Sequence, residues 1–305
     1  MKRLVLIDGH AILHRAYHAL PPLTTSAGEL VNAVYGFTTM LLRVVDELKP
    51  NYLIVAFDTP KPTFRHAEFV GYQAQRPKME DELAGQIEKV QRIVRALGIP
   101  IFAVEGYEAD DVIGTLAKRA AKRKIEVVIA TGDRDMFQLI GPEIKIYAPV
   151  KGMSEARIFD YQAVEEKMGV KPEQMVDYKS LVGDPSDNYP GVPGIGPKTA
   201  AQLLHQYQTM DNLYKHLDKL SEVQAQKLVE GKESAELSRK LARIMVDVPI
   251  ELDLEKAQFV LTDEEKARAI EEFKVLGFRS LMERLGGESK SKSKPKKEDS
   301  QPKLF

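Results

Sequence analysis

The sequence predicts an α/β fold in which a doubly wound, mostly parallel sheet precedes a helical region. The first observation is that four short apolar runs are nearly continuous rather than alternating, which is typical of parallel strands covered on both faces. The second is that the segments between these runs carry helical periodicity. The runs occupy residues 4–7, 52–57, 99–104 and 127–130, and the helical segments occupy residues 33–48, 83–97 and 112–123.

Further along the chain the strand pattern ends and a helical pattern replaces it. A fifth apolar run at residues 144–147 predicts an edge strand near the end of the first domain, which we place at residues 1–170. Residues 171–285 predict a helical lobe, and the polar, lysine-rich residues 286–305 predict a disordered tail. The predicted helices of the lobe are 172–182, 197–206, 213–228, 234–246 and 263–285.

Composition bounds the function. A length of 305 residues suits about two domains. Lys and Arg total 44 against 45 for Asp and Glu, so the formal charge of −1 does not indicate a nucleic-acid partner. The absence of cysteine excludes disulfides, thiolate zinc sites and a cysteine nucleophile. Because no run approaches the roughly 20 apolar residues of a membrane span and the N-terminus lacks a signal-peptide pattern, we expect a cytoplasmic protein.

Carboxylates follow several of the predicted strands. Asp8, Asp58 and Asp133 each close an apolar run. Because the carboxyl ends of parallel strands share one edge of a sheet, where ligands bind, we expect these three acids to converge. Glu108, Asp110 and Asp111 lie just beyond the third run. Asp135 follows Asp133 in the segment GDRD, which we expect to be extended, and Asp184 and Asp187 are one helical turn apart in GDPSD.

These nine acids predict a metal site. A single acid after a strand is more often a helix cap, but three strand ends together favour a shared cleft. So many carboxylates would repel each other strongly unless cations were present. Oxygen-only ligands select Mg²⁺ or Mn²⁺ over zinc. Setting the nine acids aside changes the formal charge to about +8, as a nucleic-acid enzyme requires.

The glycine-rich segment 191–200, GVPGIGPKTA, predicts a helix–hairpin–helix within residues 181–206. No strand precedes it, which excludes a dinucleotide fingerprint, and Pro197 breaks the Walker A spacing. Pro197 instead starts a helix, and the backbone N–H groups of the turn then face a phosphate of the nucleic-acid backbone. The ordinary alternative is a glycine turn between helices. The predicted DNA-binding residues are Gly191, Val192, Gly194, Ile195, Gly196, Lys198 and Thr199.

Taken together, these motifs resemble the 5′ nuclease of bacterial DNA polymerase I, within the wider flap endonuclease family. The resemblance covers about residues 1–285 and rests on DG at 8–9 with Arg15, FD at 57–58, EADD at 108–111, TGDRDMFQL at 131–139 and LVGDPSDNYPGVPGIGPKTA at 181–200. It implies a PIN-like nuclease core, two Mg²⁺ ions and structure-specific cleavage of 5′ flaps and nicked duplexes. A potassium ion held by the carbonyls of Val192 and Ile195 is also implied.

The resemblance divides the acids into two metal sets and adds an arch over the active site. Asp8, Asp58, Glu108 and Asp110 resemble the first set, whereas Asp111, Asp133, Asp135, Asp184 and Asp187 resemble the ligands nearer the second metal. The arch corresponds to residues 63–92, with Tyr72 and Arg76 among its catalytic residues. Gln73 stands where the family usually has a lysine, and Lys78 could replace its charge. Arg15 and Arg76 are candidates for stabilising transition-state charge.

The resulting hypothesis is a Mg²⁺-dependent 5′-3′ exonuclease and flap endonuclease of replication and repair, monomeric and nucleoid-associated. The alternatives are a DNA-junction binding protein without catalysis and a small toxin-type ribonuclease, which the length and the hairpin disfavour. RNA primers or RNA–DNA hybrids are possible substrates. The tail predicts a free-standing nuclease, because Gln301, Leu304 and Phe305 resemble the bacterial peptide Gln-x-x-Leu-Phe that binds the replication sliding clamp.

Overall fold

The computed structural model describes residues 1–152 and 155–287 and contains one six-stranded sheet in that part of the chain. The strands are β1 (Arg3–Asp8), β2 (Tyr52–Ala56), β3 (Ile101–Phe102), β4 (Glu126–Ala130), β5 (Ile144–Lys151) and β6 (Glu155–Phe159). Their order in the sheet is β3-β2-β1-β4-β5-β6, with β1 to β5 parallel and β6 antiparallel to β5. The doubly wound, mostly parallel fold is therefore confirmed.

Two strand predictions need correction. The run 144–147 is not an edge strand, because β5 lies inside the sheet and β6 covers its outer side. Strand β6 has no signal in the sequence, because most of its residues are exposed and lack the apolar character of the central strands. The run 99–104 forms only a two-residue strand, β3, at the opposite edge.

The apolar strands are continuous because alternate residues enter two different cores. Leu4 and Leu6 of β1 belong to one hydrophobic cluster, and Val5 and Ile7 belong to another on the opposite face. All four side chains are at most 2% exposed. A strand buried on both faces needs apolar residues at every position, and this explains the pattern in the sequence.

Thirteen α-helices occur in the described ranges, and short 3₁₀ helices occur at Asp135–Leu139, Pro172–Gln174 and Leu217–Lys219. The α-helices are α1 (Gly9–Ala19), α2 (Asn32–Leu48), α3 (Phe64–Glu68), α4 (Asp81–Ala96), α5 (Ala109–Lys122), α6 (Tyr161–Met168), α7 (Met175–Val182), α8 (Pro197–Tyr207), α9 (Met210–Tyr214), α10 (Glu222–Glu230), α11 (Lys232–Ala242), α12 (Asp263–Leu276) and α13 (Arg279–Arg284).

The predicted lobe 171–285 is divided between the two faces of the sheet. Residues of α7 to α11 share a hydrophobic cluster with α5. The chain then forms a bridge between Gln258 and Tyr52 at the start of β2. Helices α12 and α13 pack on the other face, where Phe273 and Leu281 join the cluster that contains α2 and α4. The assignment of residues 263–284 to the lobe is therefore wrong, because their apolar faces complete the core of the first domain.

The predicted arch, residues 63–92, is also shorter than expected. From Asp81 onward the chain is helix α4, whose residues Leu83, Val90 and Val94 are buried against the core. Helix α4 packs on α2 and α12 and cannot overhang a cleft at the same time. The segment that can cover the carboxyl edge of the sheet ends near residue 80. None of the helices in the described part of the chain combines the length and the hydrophobicity that a membrane span requires.

Candidate active site

Asp8 lies at the carboxyl end of β1 and begins helix α1. One carboxylate oxygen accepts a hydrogen bond from the backbone N–H of Ala11 at 2.9 Å, and the other accepts one from Thr131 Oγ1 at 2.7 Å. Burial, followed by the negative charges of Asp58 and Asp133, raises the pKa of Asp8 to about 6. Asp8 thus caps a helix and also faces the other strand-end acids, as the sheet edge predicts.

Asp58 follows β2 and is held by the start of two helices. Its Oδ1 accepts a hydrogen bond from the N–H of Ala109 at 2.7 Å, and its Oδ2 lies 3.1 Å from His10 Nδ1. Burial acts to raise the pKa of Asp58, but the hydrogen bond and charge of His10 hold that pKa below its usual value. His10 of helix α1 therefore orients a candidate ligand.

Glu108 and Asp110 stand at the amino-terminal end of α5. Burial raises the pKa of Glu108 to about 7 and raises that of Asp110 well above its usual range. The negative charges of Asp133, Asp8, Asp58 and Glu108 add to the effect on Asp110, so these acids lie near one another. Like charges gathered in a desolvated cleft favour either protonation or a bound cation.

Asp135, Asp184 and Asp187 form a second group, which we call the carboxylate triad. One carboxylate oxygen from each of them lies within 4.8 Å of the others. Burial and the neighbouring charge of Asp133 raise the pKa of Asp135 to about 7, although Lys179 opposes the shift. Burial and the charge of Asp184 also raise the pKa of Asp187.

The local geometry of the triad differs from the expected one. Asp135 starts a 3₁₀ helix rather than lying in an extended segment, and its N–H donates to Asp133 Oδ1 at 2.7 Å. Asp184 and Asp187 do not share a helical turn, because the chain leaves α7 at Gly183 and forms a tight loop closed by a bridge between Asp184 and Tyr189. The loop still brings both carboxylates to Asp135.

Lys179 is a site residue that the sequence analysis missed. Its Nζ forms ion pairs with both Asp135 and Asp184. Burial lowers the pKa of Lys179, but these two carboxylates outweigh that effect and raise it above its usual value. The same ion pair holds the pKa of Asp184 below its usual value despite burial. The only signal in the sequence is that Lys179 precedes the GDPSD loop by one helical turn of α7.

Asp111 needs correction as a predicted metal ligand. Its side chain is fully buried, and Arg65 binds it through two hydrogen bonds of 2.8 Å each. The backbone N–H groups of Glu108 and Met245 donate to the same carboxylate. With both oxygens engaged by internal donors, Asp111 stabilises the fold instead of facing the cleft.

Arg65, also missed, joins the first domain to the helical region. It is 2% exposed and donates hydrogen bonds to the carbonyls of Leu241 and Arg243 in addition to Asp111. It lies 3.1 Å from Glu108 Oε2. The sequence could not show that Arg65 is buried, because α3 is only one turn long and too short for a helical pattern of apolar residues to mark its buried face.

The structure separates the predicted arch residues. Tyr72 is buried, and its hydroxyl donates to Glu108 Oε2 at 3.3 Å. Gln73 is tied to the triad, since its backbone N–H donates to the Asp187 carbonyl at 2.9 Å and its Nε2 donates to Asp187 Oδ1 at 3.0 Å. Arg76 is exposed, and its charge acts on Asp58 and Asp187. Lys78 is exposed, with no ion pair to any described residue.

Arg15 lies on α1 beside the loop that carries Asp133. Its Nε donates a hydrogen bond to the carbonyl of Gly152 at 3.1 Å. It also lines a small cavity together with Gly132, Asp133 and Arg134. Arg15 therefore stands at the rim of the acidic cleft, on the side of β4 and β5.

The predicted DNA-binding turn joins α7 to α8, and most of its predicted residues remain accessible. Gly194, Gly196 and Lys198 are exposed, and Thr199 is half-buried. Gly191 is a correction: its N–H donates to Ser238 Oγ at 3.1 Å, and a Cβ there would lie 2.3 Å from the backbone nitrogen of Gly183. Gly191 is needed for close backbone packing rather than for contact with DNA.

The side chains of Val192 and Ile195 are buried, so only their backbone groups could serve a ligand. The N–H groups of both residues already donate to Leu181 and Val192, respectively. The predicted clamp-binding residues Gln301, Leu304 and Phe305 lie outside the described residues.

Comparisons with known proteins agree with this architecture. Residues 3–169 match the family model described as 5′-3′ exonuclease, N-terminal resolvase-like domain, and residues 170–265 match the one described as 5′-3′ exonuclease, C-terminal SAM fold. The fold resembles the bacteriophage T5 D15 protein co-crystallised with metal ions, with a TM-score of 0.68 and 16% identity over 90% of this chain and 100% of that one. It also resembles the catalytic core of Rad2 in complex with DNA substrate, with a TM-score of 0.59 and 17% identity over 93% of this chain and 90% of that one.

Curated relatives are closer in sequence. DNA polymerase I of Bacillus caldotenax is 44% identical over 298 residues, which cover 96% of this chain and 33% of the relative. DNA polymerase I of Pseudomonas aeruginosa is 46% identical over 261 residues, or 83% of this chain and 28% of the relative. The chain thus spans about a third of the length of these polymerases. The two family models together cover most of the sequence, and both matched ranges contribute acids to the cleft. The chain therefore belongs to the 5′-3′ exonuclease family.

Proposed function

We propose that this chain is a divalent-metal-dependent 5′ nuclease that hydrolyses phosphodiester bonds at 5′ ends, nicks and 5′ flaps of DNA. The observation that carries this proposal is the carboxylate triad, whose three oxygens lie within 4.8 Å beside a second set of strand-end acids. Membership of the 5′-3′ exonuclease family supports the reaction class. The DNA polymerase I relatives support a role in replication and repair, although this chain matches only about a third of their length.

The donor set fits two hard divalent cations. All candidate ligands are carboxylate oxygens, and several have raised pKa values because negative charge is concentrated in a desolvated cleft. Mg²⁺ or Mn²⁺ suits such oxygens better than zinc does. Asp8, Asp58, Glu108 and Asp110 would hold the first ion; Asp133, Asp135, Asp184 and Asp187 would hold the second. Bound metal supplies an activated water and neutralises charge on the leaving oxygen.

The protein's own residues prepare this site. Thr131 and the N–H of Ala11 hold the carboxylate of Asp8 in one orientation, and His10 does the same for Asp58. Gln73 hydrogen-bonds to Asp187 and so fixes the third member of the triad. Fixed ligands lower the cost of reorganisation during the reaction, which is how a preorganised site accelerates it.

Arg15 and Arg76 supply positive charge to the phosphate. Arg76 is exposed near Asp58 and Asp187, and Arg15 lines the opposite rim beside Asp133. An arginine fork can donate two hydrogen bonds to phosphate oxygens, and these strengthen as negative charge develops in the transition state. Tyr72 is instead a positioning residue, because its buried hydroxyl donates to Glu108.

The turn before α8 binds the duplex backbone in this proposal. Helix α8 begins at Pro197 with Gly196 as its N-cap and no side-chain cap, so its first N–H groups are available to an anion. Lys198 adds charge on an exposed surface. Such contacts read the backbone and not the base sequence, which suits a structure-specific enzyme. A potassium ion at the carbonyls of Val192 and Ile195 belongs to the same proposal.

The test is cleavage of a 5′-flap duplex labelled at both ends of the flap strand, with the matched oligonucleotide carrying an RNA 5′ segment as a second arm. With Mg²⁺ we expect cuts near the junction that leave a 5′-phosphate, no product in EDTA, and loss of product in Asp135→Asn. Replacing K⁺ by Na⁺ tests the potassium site through duplex affinity. Tight flap binding with Mg²⁺ but no cleavage would overturn the nuclease proposal in favour of a junction-binding protein.

We further propose that Gln301, Leu304 and Phe305 bind the bacterial sliding clamp. Leu304 and Phe305 are the only large apolar residues after Leu285, a composition typical of a short linear anchor. Deleting residues 301–305 should abolish clamp binding in calorimetry while leaving cleavage of a free flap oligonucleotide unchanged. The absence of clamp binding by the intact chain at tens of micromolar would contradict this proposal.

A further inference from the structure

A small cavity lies beside the acidic cleft, between the loop that carries Asp133, the end of β5 and helix α6. Its volume is about 160 Å³, and its walls include Arg15, Arg134, Lys167 and the aromatic ring of Phe159. A neighbouring cavity of about 310 Å³ shares Lys167 and Phe159 and adds Arg157 and Glu166. We call the two together the cationic pocket.

The positive charges of the cationic pocket lack ion-pair partners. Arg134, Arg157 and Lys167 are exposed, and none of them forms a salt bridge to another residue in the ranges 1–152 and 155–287. Arg157 and Lys167 instead lie over Phe159, 5.4 and 5.5 Å from the ring centroid. Phe159 is 3% exposed and packs against Phe137, so the ring is a rigid platform for both cations.

Lysines at the opposite, amino-terminal edge of the sheet behave differently. Lys124 pairs with Glu143, and Lys145 pairs with Glu126. Four cations at one place with little compensation produce a local positive potential that attracts an anion. Among the residues that the structure describes, the only acids that line the pocket are Asp133, which also faces the metal cleft, and Glu166.

The position of the cationic pocket identifies the class of anion. Because Asp133 lines both the pocket and the acidic cleft, a polymer held at the cleft reaches the pocket with its next units. Cavities that enclose a whole drug-sized ligand measure roughly 300–1,000 Å³. The smaller cavity, at about 160 Å³, is below that range and suits a phosphate group, whereas the neighbouring cavity of about 310 Å³ is at its lower limit. An arginine fork binds phosphate oxygens through two hydrogen bonds, and Arg15 and Arg134 offer two such forks.

We infer that the cationic pocket binds a phosphate group of the same nucleic-acid strand whose neighbouring phosphodiester lies at the acidic cleft. The inference rests on the proposed nuclease function and adds a second anchor point to it. Arg157 and Lys167 hold the strand from the β6 and α6 side, whereas Arg15 and Arg134 hold it from the cleft side. A second fixed point beside the cleft limits the movement of the strand and so orients the phosphodiester at the cleft for attack.

The test compares two double variants that each remove two positive charges. The pocket variant, Arg157→Ala with Lys167→Ala, removes both positive charges on the β6 and α6 side of the pocket. The matched control, Lys122→Ala with Lys124→Ala, removes two exposed lysines at the amino-terminal edge of the sheet. Affinity for a fluorescent single-stranded oligonucleotide is measured by anisotropy in Ca²⁺ over a salt series. Each lost phosphate contact should cost roughly fivefold near 0.1 M salt and reduce the salt slope by about 0.7.

Because the pocket holds one phosphate group, the pocket variant should bind about fivefold more weakly than wild type, while the control changes little. Two oligonucleotides, one with and one without a 5′-phosphate, show which phosphate the pocket binds. An equal loss for both indicates a backbone phosphodiester, and a loss confined to the phosphorylated strand indicates the terminal phosphate. Equal binding by the pocket variant and the control, or no binding by wild type, would overturn the inference. If wild type does not cleave the flap but the pocket variant still binds more weakly than the control, only the nuclease proposal is overturned.

Discussion

Asp111 and Asp135 both face a cation, yet the two sites have opposite character. Asp111 receives two hydrogen bonds from Arg65 and two from backbone N–H groups, so every part of its charge is matched inside the fold. Asp135 shares the single ammonium of Lys179 with Asp184, while Asp187 stands within 4.8 Å. Because three carboxylates share one lysine, the carboxylate triad keeps an excess of negative charge. The difference teaches that internal donors, rather than the presence of an acid, separate a structural carboxylate from a candidate ligand.

The largest expected effect is on stability at the matched site. Asp111→Asn deprives the buried Arg65 of the counter-ion that it binds through two hydrogen bonds and leaves only Glu108 at 3.1 Å, so we expect the free energy of unfolding to fall by about 3 kcal/mol. Asp135→Asn is the matched control and should leave stability unchanged or raise it, because it removes a repelling charge. Urea denaturation in EDTA measures both. Equal stability of the two variants would contradict the distinction between the sites.

The next effect is on activity at the unmatched site. Asp135→Asn and Asp187→Asn should each reduce flap cleavage by about a hundredfold or more, since the loss of a metal ligand forfeits several kcal/mol of transition-state stabilisation. Flap affinity in Ca²⁺ should stay within a few-fold of wild type. Single-turnover cleavage and anisotropy separate the two quantities. An inactive variant that melts far earlier than wild type would show that the acid supports the fold instead.

Lys179 offers a finer test, because it is the internal cation of the triad. Lys179→Met should lower stability by about 1–2 kcal/mol in EDTA, since the charged hydrogen bonds to Asp135 and Asp184 are lost. Saturating Ca²⁺ should restore most of that loss by replacing the missing charge. Lys240→Met, at an exposed pair with Glu68, is the control and should show neither effect. Thermal unfolding with and without Ca²⁺ gives the answer, and a deficit that Ca²⁺ leaves intact would contradict the idea.

The smallest expected effect concerns Gln73. Its amide already hydrogen-bonds to Asp187 at 3.0 Å, so Gln73→Lys would place a positive charge beside the triad without moving the backbone. We expect single-turnover cleavage to rise by up to about tenfold, equivalent to roughly 1.4 kcal/mol. If Lys78 already supplies the charge, Lys78→Ala should slow cleavage and Gln73→Lys should gain little. An unchanged rate in both variants would remove this segment from the chemistry.

Several features were predictable because they depend on neighbouring residues in the chain. The central strands are continuous apolar runs, since both faces of a parallel sheet are buried, and the family prediction is confirmed by the matches to both halves. Asp8, Asp58 and Asp133 follow strands whose carboxyl ends meet at one edge, so their convergence needed only the topology of a parallel sheet. The position of α8 followed from Pro197 at its first residue.

Contacts between distant segments were not predictable in this way. Asp111 has the same local sequence signature as Asp110, and its separation from the cleft depends on Arg65, 46 residues earlier in the chain. Helices α12 and α13 have ordinary amphipathic patterns, which specify that a face is buried but not which core buries it. Lys179 became part of the site because the GDPSD loop folds back on its own helix.

The sequence therefore determined the central parallel strands and the helices between them, the family and the chemical class of the candidate site, because local periodicity and residue type carry that information. Which carboxylates remain free to bind a metal was settled by tertiary contacts. A carboxylate accepts hydrogen bonds from whatever donors the fold brings to it, and the donors of Asp111 and Asp135 come from Arg65 and Lys179, whose positions depend on the packing of the whole chain.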